Sequence, residues 1–262
     1  MSALLGRVLN VALGAGHVQV DVLSNAWTNR PIERAILHSP SPAGSVAAWT
    51  TGLEVFSRWL DQRSFQGASL HLIVDDIFVR YAVVPWRADL QRTPERKSLA
   101  LACFEVAYGG SMDGWDIRID AAVRRRPAIA CAIELGFISS VRHVCRARGL
   151  TLKLCRPSFI HKLSAEWQEM PSVEHLVVSV GERAVVGGTR SAEGWSSVWL
   201  RHLPSSPDCG AMSSCWQDIL RQEYLLRGYV DGMPILLLEK KSVFTLPSAR
   251  AVAQSGLVEN AH

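Results

Sequence analysis

The sequence predicts a mixed α/β protein that contains two copies of one unit, a short meander of strands followed by a helix and a further strand. Strand-like stretches with alternating or β-branched residues occur near both ends of the chain, at 17–39 and 175–203. A segment with apolar residues three or four positions apart, typical of a helix, follows each of them. Residues 87–158 show a different order of elements, which indicates an inserted α/β module.

Composition excludes several classes of protein. The chain has 262 residues, of which 48% are hydrophobic and 20% charged, near the average for folded globular proteins. The net charge of +4 is mild, whereas nucleic-acid-binding modules concentrate basic residues more strongly. The six cysteines form no CxxC pair and most lie in apolar periodic stretches, which is typical of reduced, buried thiols. We therefore expect a cytoplasmic protein that binds no nucleic acid.

The first copy contains strands "HVQVDVL" (17–23) and "ERAILHS" (33–39) and a helix whose inner face carries Trp49, Leu53 and Leu60. The N-terminal stretch "MSALLGRVLNVALGAG" is interrupted by Arg7 and is too short to span a bilayer. We predict a surface helix, or the edge of one, for this stretch.

The stretch "LIVDDIFVRYAVVPW" (72–86) joins two apolar runs through Asp75 and Asp76. Adjacent residues on a strand point to opposite faces, so two catalytic carboxylates could share a site only from a turn. Aspartate is a common turn residue. We therefore interpret the pair as the turn between two strands and not as a catalytic acid and base.

The middle of the chain predicts helix, strand, strand, helix and strand. Thr93, Pro94 and Glu95 form a typical helix N-terminus. The inner face of this helix is predicted to consist of Leu99, Cys103, Val106 and Ala107. The strands "WDIRIDAAV" and "AIACAIE" flank a basic turn, and "LTLKLCRP" follows the second helix, which ends at Gly149.

The second copy contains three consecutive antiparallel strands, "HLVVSV", "AVVGGT" and "WSSVWLRHL". The Gly pair in "AVVGGT" is followed by no helix, so it predicts a hairpin and not a phosphate loop. A helix through Trp216 and Tyr224 then leads to the strand "PILLLE".

The order of elements and several stretches resemble the actin-like cytoplasmic assembly proteins of type IV pili and type II secretion, the PilM family and the cytoplasmic part of the secretion L protein. "LHLIVDDIFVRYAVVPWRADL" is similar to the family's strand, short turn and second strand ending in Pro. "RKSLALACFEVAYGG" resembles the helix of its inserted subdomain, and "AIACAIELGFISSVRHVCRARGLTLKLCRPSF" resembles the strand, helix and strand that follow. The resemblance covers residues 15–240.

The resemblance implies an actin-like (ribonuclease H-like) fold with two subdomains and an inserted small α/β module. The expected boundaries are 1–86 for the first subdomain, 87–158 for the insertion, 159–249 for the second subdomain and 250–262 for a flexible tail.

The parent fold binds ATP between its halves through turns of the type Asp-x-Gly-x-x-x-Thr, in which the acid acts through a metal and the glycine lets backbone amides approach phosphate. In "SVGERAV" Gly181 is present, but Ser179 stands at the acid position and Val185 at the hydroxyl position. In "VDVLSNAW" no glycine follows Asp21. Both turns therefore look degraded, and we expect no nucleotide cofactor, no metal and no catalytic residues.

Two other groups of residues are poor candidates for a catalytic or metal-binding site. Cys155 with His161 would need a lowered thiol pKa, which a buried strand does not favour. His202, Cys209 and Cys215 match no common zinc spacing and lack an evident fourth ligand.

The resemblance implies a non-catalytic scaffold at the cytoplasmic face of the inner membrane, with only peripheral membrane contact. It would bind the short cytoplasmic segment of an inner-membrane pilus or secretion protein, and a cytoplasmic assembly ATPase is a further partner. By their position near the family's groove between the first subdomain and the insertion, the expected contact residues are Trp86, Phe104, Tyr108, Arg124, Arg125 and Arg126. The alternative is an actin-like ATPase or a kinase-type enzyme that binds ATP.

Basic residues concentrate in the module and its flanks, either as solvated helix faces or as a surface for an acidic partner or anionic headgroups. They are Arg124, Arg125, Arg126, Arg142, Arg146, Arg148, Lys153 and Arg156.

Overall fold

A computed structural model describes residues 6–24, 30–39, 49–90, 92–120, 125–167, 170, 172–203, 209–229, 232–238 and 242–244. The strands are β1 (Val8–Leu13), β2 (His17–Leu23), β3 (Glu33–His38), β4 (Ser69–Val74), β5 (Val79–Val84), β6 (Trp115–Ile119), β7 (Ala128–Glu134), β8 (Thr151–Pro157), β9 (His175–Val180), β10 (Ala184–Ser191), β11 (Gly194–His202), β12 (Ile235–Leu237) and β13 (Ser242–Phe244). The helices are α1 (Trp49–Asp61), α2 (Thr93–Tyr108), α3 (Leu135–Ala147), α4 (Ser158–Glu166) and α5 (Cys209–Leu226). The predicted tail, 250–262, lies outside the described residues.

The first four strands of the two five-stranded sheets follow the same plan, which confirms the predicted internal duplication. The first has the order β3-β2-β1-β4-β8 and the second β11-β10-β9-β12-β13. In each, an antiparallel meander begins at a central strand, β1 or β9, and that strand pairs in parallel with the strand after the helix, β4 or β12. One continuous apolar core joins the two sheets and includes Leu9 of β1 and Val177 of β9.

The N-terminal segment corrects the sequence-based prediction of a helix, because Val8–Leu13 is the central strand β1. Val8 and Leu9 point to opposite faces of the sheet, and both are buried. A strand that is buried on both faces has a short continuous run of apolar residues in its sequence. The spacing of apolar residues does not distinguish such a run from a buried helix.

The third sheet belongs to the inserted module and has the order β5-β7-β6, all antiparallel, with α2 packed on it. The pairing differs from the expected boundaries in two places. β5, assigned to the first subdomain, pairs with β7 and not with β4. β8, assigned to the insertion, extends the first sheet by pairing in parallel with β4.

Half of the predicted inner face of helix α2 is confirmed: Leu99 and Cys103 pack against the module core, whereas Val106 and Ala107 are exposed. Its buried residues are Ala100 and Phe104, whereas Val106 is 87% exposed. The second half of the helix is apolar on nearly every side, so the spacing of its apolar residues does not define which face meets the sheet.

The Gly pair of "AVVGGT" lies in β10 beside two tryptophans of β11, which confirms the hairpin. A Cβ on Gly187 would lie 2.2 Å from the Trp199 ring, and one on Gly188 would lie 3.0 Å from the Trp195 ring. The missing side chains thus leave room for the indoles to cover β10. Among the helices that the structure describes, none combines the length and apolar character needed to cross a bilayer.

Candidate functional site

The first turns of the two large sheets face each other across a cleft of about 430 Å³. Between β1 and β2, Gly14 N donates to His17 O at 2.9 Å, and between β9 and β10, Gly181 N donates to Ala184 O at 2.8 Å. The two glycines therefore occupy the same position in matching turns. The cleft is lined by Ala12, Leu13, Gly14, His17, Ile73, Asp75, Asp76, Ser158, Lys162, Val180, Gly181 and Glu182.

This geometry corrects the placement of the first degraded phosphate turn. Asp21 lies within β2 and forms a surface ion pair with Arg34 at 2.7 Å. The turn that matches Gly181 contains Gly14, so the close-approach glycine is present in both halves. The residue two positions before each glycine is Ala12 in the first turn and Ser179 in the second, so neither turn carries an acid there.

Side chains from both halves meet in this cleft. Glu182 of the second half reaches the first turn: its Oε1 lies 3.0 Å from His17 Nδ1, and its Oε2 lies 3.4 Å from the position of a Cβ on Gly14. Lys162 of α4 donates from Nζ to Ser179 Oγ at 3.1 Å. These contacts fill part of the space between the two turns.

Asp75 and Asp76 form a turn, as predicted, but the sequence did not indicate that they also lie in the cleft. Asp75 Oδ1 accepts a hydrogen bond from Ile77 N at 3.1 Å, and a single turn of 3₁₀ helix follows from Asp76. Asp75 N donates to Leu13 O at 3.0 Å, which ties this turn to the β1–β2 hairpin. The Asp75 carboxylate lies 4.0 Å from the position of a Cβ on Gly181.

The Asp76 carboxylate is buried and holds two elements together. It accepts hydrogen bonds from Tyr81 Oη at 2.6 Å and from Phe159 N, at the start of α4, at 3.0 Å. Burial nevertheless raises the pKa of Asp76 to about 6. The pKa of Asp75 is also raised, mainly by burial and further by the charge of Glu182.

The cleft therefore brings together three carboxylates, Asp75, Asp76 and Glu182, and one lysine. A polyphosphate entering between the two glycines would meet Asp75 and Glu182 at close range. Without a bridging cation, these carboxylates repel an anionic ligand. Among the described residues, no cluster of histidine, cysteine or acidic side chains has the geometry of a metal site.

A second concave site of about 450 Å³ lies between the outer edge of β8 and the face of the module sheet, and we name it the edge-strand groove. Its lining comprises Asp116, Arg118, Ile119, Asp120, Ile129, Cys131, Ile133, Ile138, Arg142, Leu152, Lys153, Leu154, Cys155, Arg156, Pro157 and Ile160. Burial raises the pKa of both Cys131 and Cys155 to about 12, so neither thiol has the character of a nucleophile at neutral pH.

The structure divides the basic residues into separate groups. Arg142, Lys153 and Arg156 meet along the edge-strand groove. Arg148 instead binds Asp61 and Ser57 of α1. Arg125 and Arg126 lie just before β7, and Arg124 lies outside the described residues.

The three aromatic residues expected at a partner surface have different environments. Trp86 follows β5 and is 39% exposed. Tyr108 is 41% exposed, and its hydroxyl donates to Tyr81 O and accepts from Tyr81 N, which fastens α2 to β5. Phe104 is 0% exposed within the core of the module, so its assignment as a partner contact was wrong. None of the three lines the edge-strand groove.

No family model matches the sequence, and no curated protein matches it. Solved structures do match. The cytoplasmic domain of EpsL, an inner membrane component of the type II secretion system of Vibrio cholerae, superposes with a TM-score of 0.55 at 10% identity, over 93% of this chain and 84% of that one. A Bacteroides thetaiotaomicron protein with an actin-like ATPase fold gives 0.56 at 7% identity, over 97% and 87%. The fold is actin-like.

A PilM-PilN type IV pilus biogenesis complex is a further match, with a TM-score of 0.49 at 16% identity over 85% of this chain and 69% of that one. At the level of the fold, the EpsL match confirms the predicted resemblance to the secretion L protein. In this actin-like frame, the cleft between Gly14 and Gly181 separates the two halves, and the three-stranded sheet is the insertion.

Proposed function

We propose that this chain is a non-catalytic scaffold of a type IV pilus or type II secretion assembly platform, at the cytoplasmic face of the inner membrane. The edge-strand groove would hold the cytoplasmic segment of an inner-membrane partner, and a cytoplasmic assembly ATPase would be a second partner. The observation that carries this proposal is the open edge of β8 beside the apolar face of the module sheet.

The edge-strand groove suits an extended peptide. β8 is the outermost strand of the first sheet, so its outer edge has no strand neighbour among the described residues. An added strand can pair with such an edge through its backbone, while alternate side chains enter pockets beside it. Ile119, Leu154 and Ile160, which line the groove and are only partly buried, supply an apolar surface for those side chains.

The charges along this groove would fix the direction of the peptide. Asp116 and Asp120 lie on the β6 side, whereas Arg142, Lys153 and Arg156 lie on the α3 and β8 side. A segment with charges of opposite sign on its two flanks would complement both rims. Trp86 and the Arg125–Arg126 turn would add contacts outside the groove.

Photo-crosslinking in the native cell tests this proposal. A benzophenone amino acid at Lys153 should yield a covalent product with an inner-membrane protein, and one at Arg221, exposed on α5, should not. A synthetic peptide of the captured segment should bind, and the R142E/K153E variant should weaken that binding by about tenfold or more. Equal products from Lys153 and Arg221, or unchanged peptide affinity, would refute the assignment of the groove.

The alternative, an actin-like ATPase or kinase-type enzyme, is favoured by one observation: Asp75 follows β4 in a cleft that retains both glycine turns. Titration with a fluorescent ATP analogue and Mg²⁺ separates the two functions. The scaffold proposal expects no saturable binding. Micromolar binding that is abolished by Gly181→Val would overturn the scaffold proposal.

A further inference from the structure

A concave site of about 510 Å³ lies where the inserted module meets both halves of the protein, and we name it the junction pocket. Trp49 of α1 comes from the first half, Leu200 of β11 from the second half, and Arg80 and Glu134 from the module sheet. Its size is typical of small-molecule sites, as is a lining of aromatic and aliphatic side chains with a few polar groups. The ionisable groups of the lining are one guanidinium, one carboxylate and the exposed His202.

The Arg80 guanidinium is held by two aromatic rings and not by a carboxylate. Its Cζ lies 4.1 Å from the centroid of the Trp115 ring and 4.9 Å from the centroid of the Tyr108 ring. Its Nη1 lies 3.4 Å from Met112 Sδ, which is a weak acceptor. Arg80 forms no ion pair with any residue that the structure describes. The rings therefore fix the position of this charge, while its other N–H groups are left to donate to an anionic group.

The Glu134 carboxylate lies on the same face of the module sheet. Its Oε2 accepts a hydrogen bond from Trp49 Nε1 at 3.0 Å, while Oε1 has no partner in the described part of the chain. Ala132 lies opposite Arg80 in the β5–β7 pairing, and Glu134 follows it two positions later, so Arg80 and Glu134 are diagonal neighbours. Both side chains are partly exposed, so a ligand in the pocket can reach them.

The two charges of the pocket define the charge of a suitable ligand. A ligand with only negative charge at Arg80 would be repelled by Glu134, and one with only positive charge at Glu134 would be repelled by Arg80. A neutral apolar ligand would remove both charges from water without giving either a partner. A ligand that carries a carboxylate and an ammonium group on one carbon atom would satisfy both side chains.

We propose that the junction pocket binds a free α-amino acid with an apolar side chain. The α-carboxylate would accept hydrogen bonds from the Arg80 guanidinium, and the α-ammonium would donate to Glu134 Oε1. The apolar side chain would lie against Phe78 and Leu200, which line the pocket and are only partly buried.

A bound amino acid would contact α1, the module sheet and β11 together, so it would hold the module to both halves. The junction pocket shares no lining residue with the edge-strand groove or with the cleft between Gly14 and Gly181. The proposal therefore does not depend on the scaffold function.

Calorimetric titration of the full chain with L-phenylalanine and with L-leucine tests the site. We expect saturable binding with a Kd of about 1 mM or below. N-acetyl-L-phenylalanine lacks the ammonium group and phenethylamine lacks the carboxylate, so each should bind about tenfold or more weakly than L-phenylalanine. Absence of binding by both amino acids, or equal affinity for L-phenylalanine and either analogue, would overturn the proposal.

Two variants separate direct contact with the ligand from a structural role. Glu134→Gln keeps an acceptor for Trp49 Nε1 but loses the charge, so it should weaken L-phenylalanine binding about tenfold without weakening N-acetyl-L-phenylalanine. Arg80→Gln should weaken L-phenylalanine binding to a similar extent without weakening phenethylamine. Arg221→Ala, on α5, is the matched control and should bind as the wild type does. A variant that weakens the amino acid and its analogue alike would show that the residue only supports the pocket, and the proposal would be wrong.

Discussion

Glu182 Oε1 lies 3.0 Å from His17 Nδ1, and this pair links the first turn of one large sheet to the first turn of the other. The two residues are 165 positions apart in the sequence (182 minus 17), and each comes from a turn that the parent fold uses to hold phosphate. The contact therefore joins the two halves at the point where a nucleotide would separate them.

A double-mutant cycle should detect this link. His17→Ala, Glu182→Ala and the double variant are each unfolded in urea at pH 6, and the coupling free energy is taken from the four values. Both side chains are partly exposed, so we expect a coupling below about 1 kcal/mol that declines with added salt. Additive effects of the two substitutions would mean that the pair contributes nothing to joining the halves.

Asp76 should give the protein a stability that falls as the pH rises. Its pKa is about 6 in the folded state, above the usual value of 3.8, so the folded state binds more protons than the unfolded state between these values. The contribution of Asp76 is thus most favourable below about pH 4 and is lost through pH 6, by about 3 kcal/mol. Asp76→Asn keeps an acceptor for Phe159 N and should remove this slope. The measurement is urea unfolding of both proteins at pH 4.5, 5.5 and 7, and parallel curves for the two would contradict the raised pKa.

Much of the fold could be predicted because its local signals were consistent. The strand His17–Leu23 agrees with the structure residue for residue, and the predicted helix start at Thr93 agrees to within one residue, because Arg92 takes the N-cap position. The strands of the second meander could also be predicted from the sequence, since turn residues separate them. The central strand Val8–Leu13 could not be read in the same way, because burial on both faces removes the alternation that marks a strand.

Local sequence patterns do not show which strands pair when they are distant in the chain. Nothing near β5 shows that it pairs with β7 and not with β4, and nothing near β8 shows that it extends the first sheet. The cleft was missed for the same reason, because Gly14, Asp75, Lys162 and Glu182 come from four separate parts of the chain. The available signal was Gly14 and Gly16 between two apolar stretches, which marks a hairpin once Val8–Leu13 is recognised as a strand.

The inner face of α2 can be tested by two alanine substitutions two positions apart. Phe104 is fully buried against the module sheet, so Phe104→Ala should cost about 3 to 5 kcal/mol of unfolding free energy. Val106 is exposed, so Val106→Ala should change it by less than about 0.5 kcal/mol. If urea denaturation showed a larger loss for Val106→Ala than for Phe104→Ala, Val106 would lie on the inner face, as the sequence predicted.

Gly187 should tolerate no side chain, because Trp199 occupies the space. A Cβ there would lie 2.2 Å from the indole ring, and Trp199 is itself buried, so the ring cannot move away without disturbing the core of the second half. We expect Gly187→Ala to lower the unfolding free energy by about 3 kcal/mol. Gly16→Ala is the matched control, since nothing lies within 4 Å of its added Cβ, and it should be neutral or stabilising by up to about 1 kcal/mol. Thermal denaturation of both variants provides the measurement, and equal melting temperatures would show that Trp199 does not pack on β10 in this way.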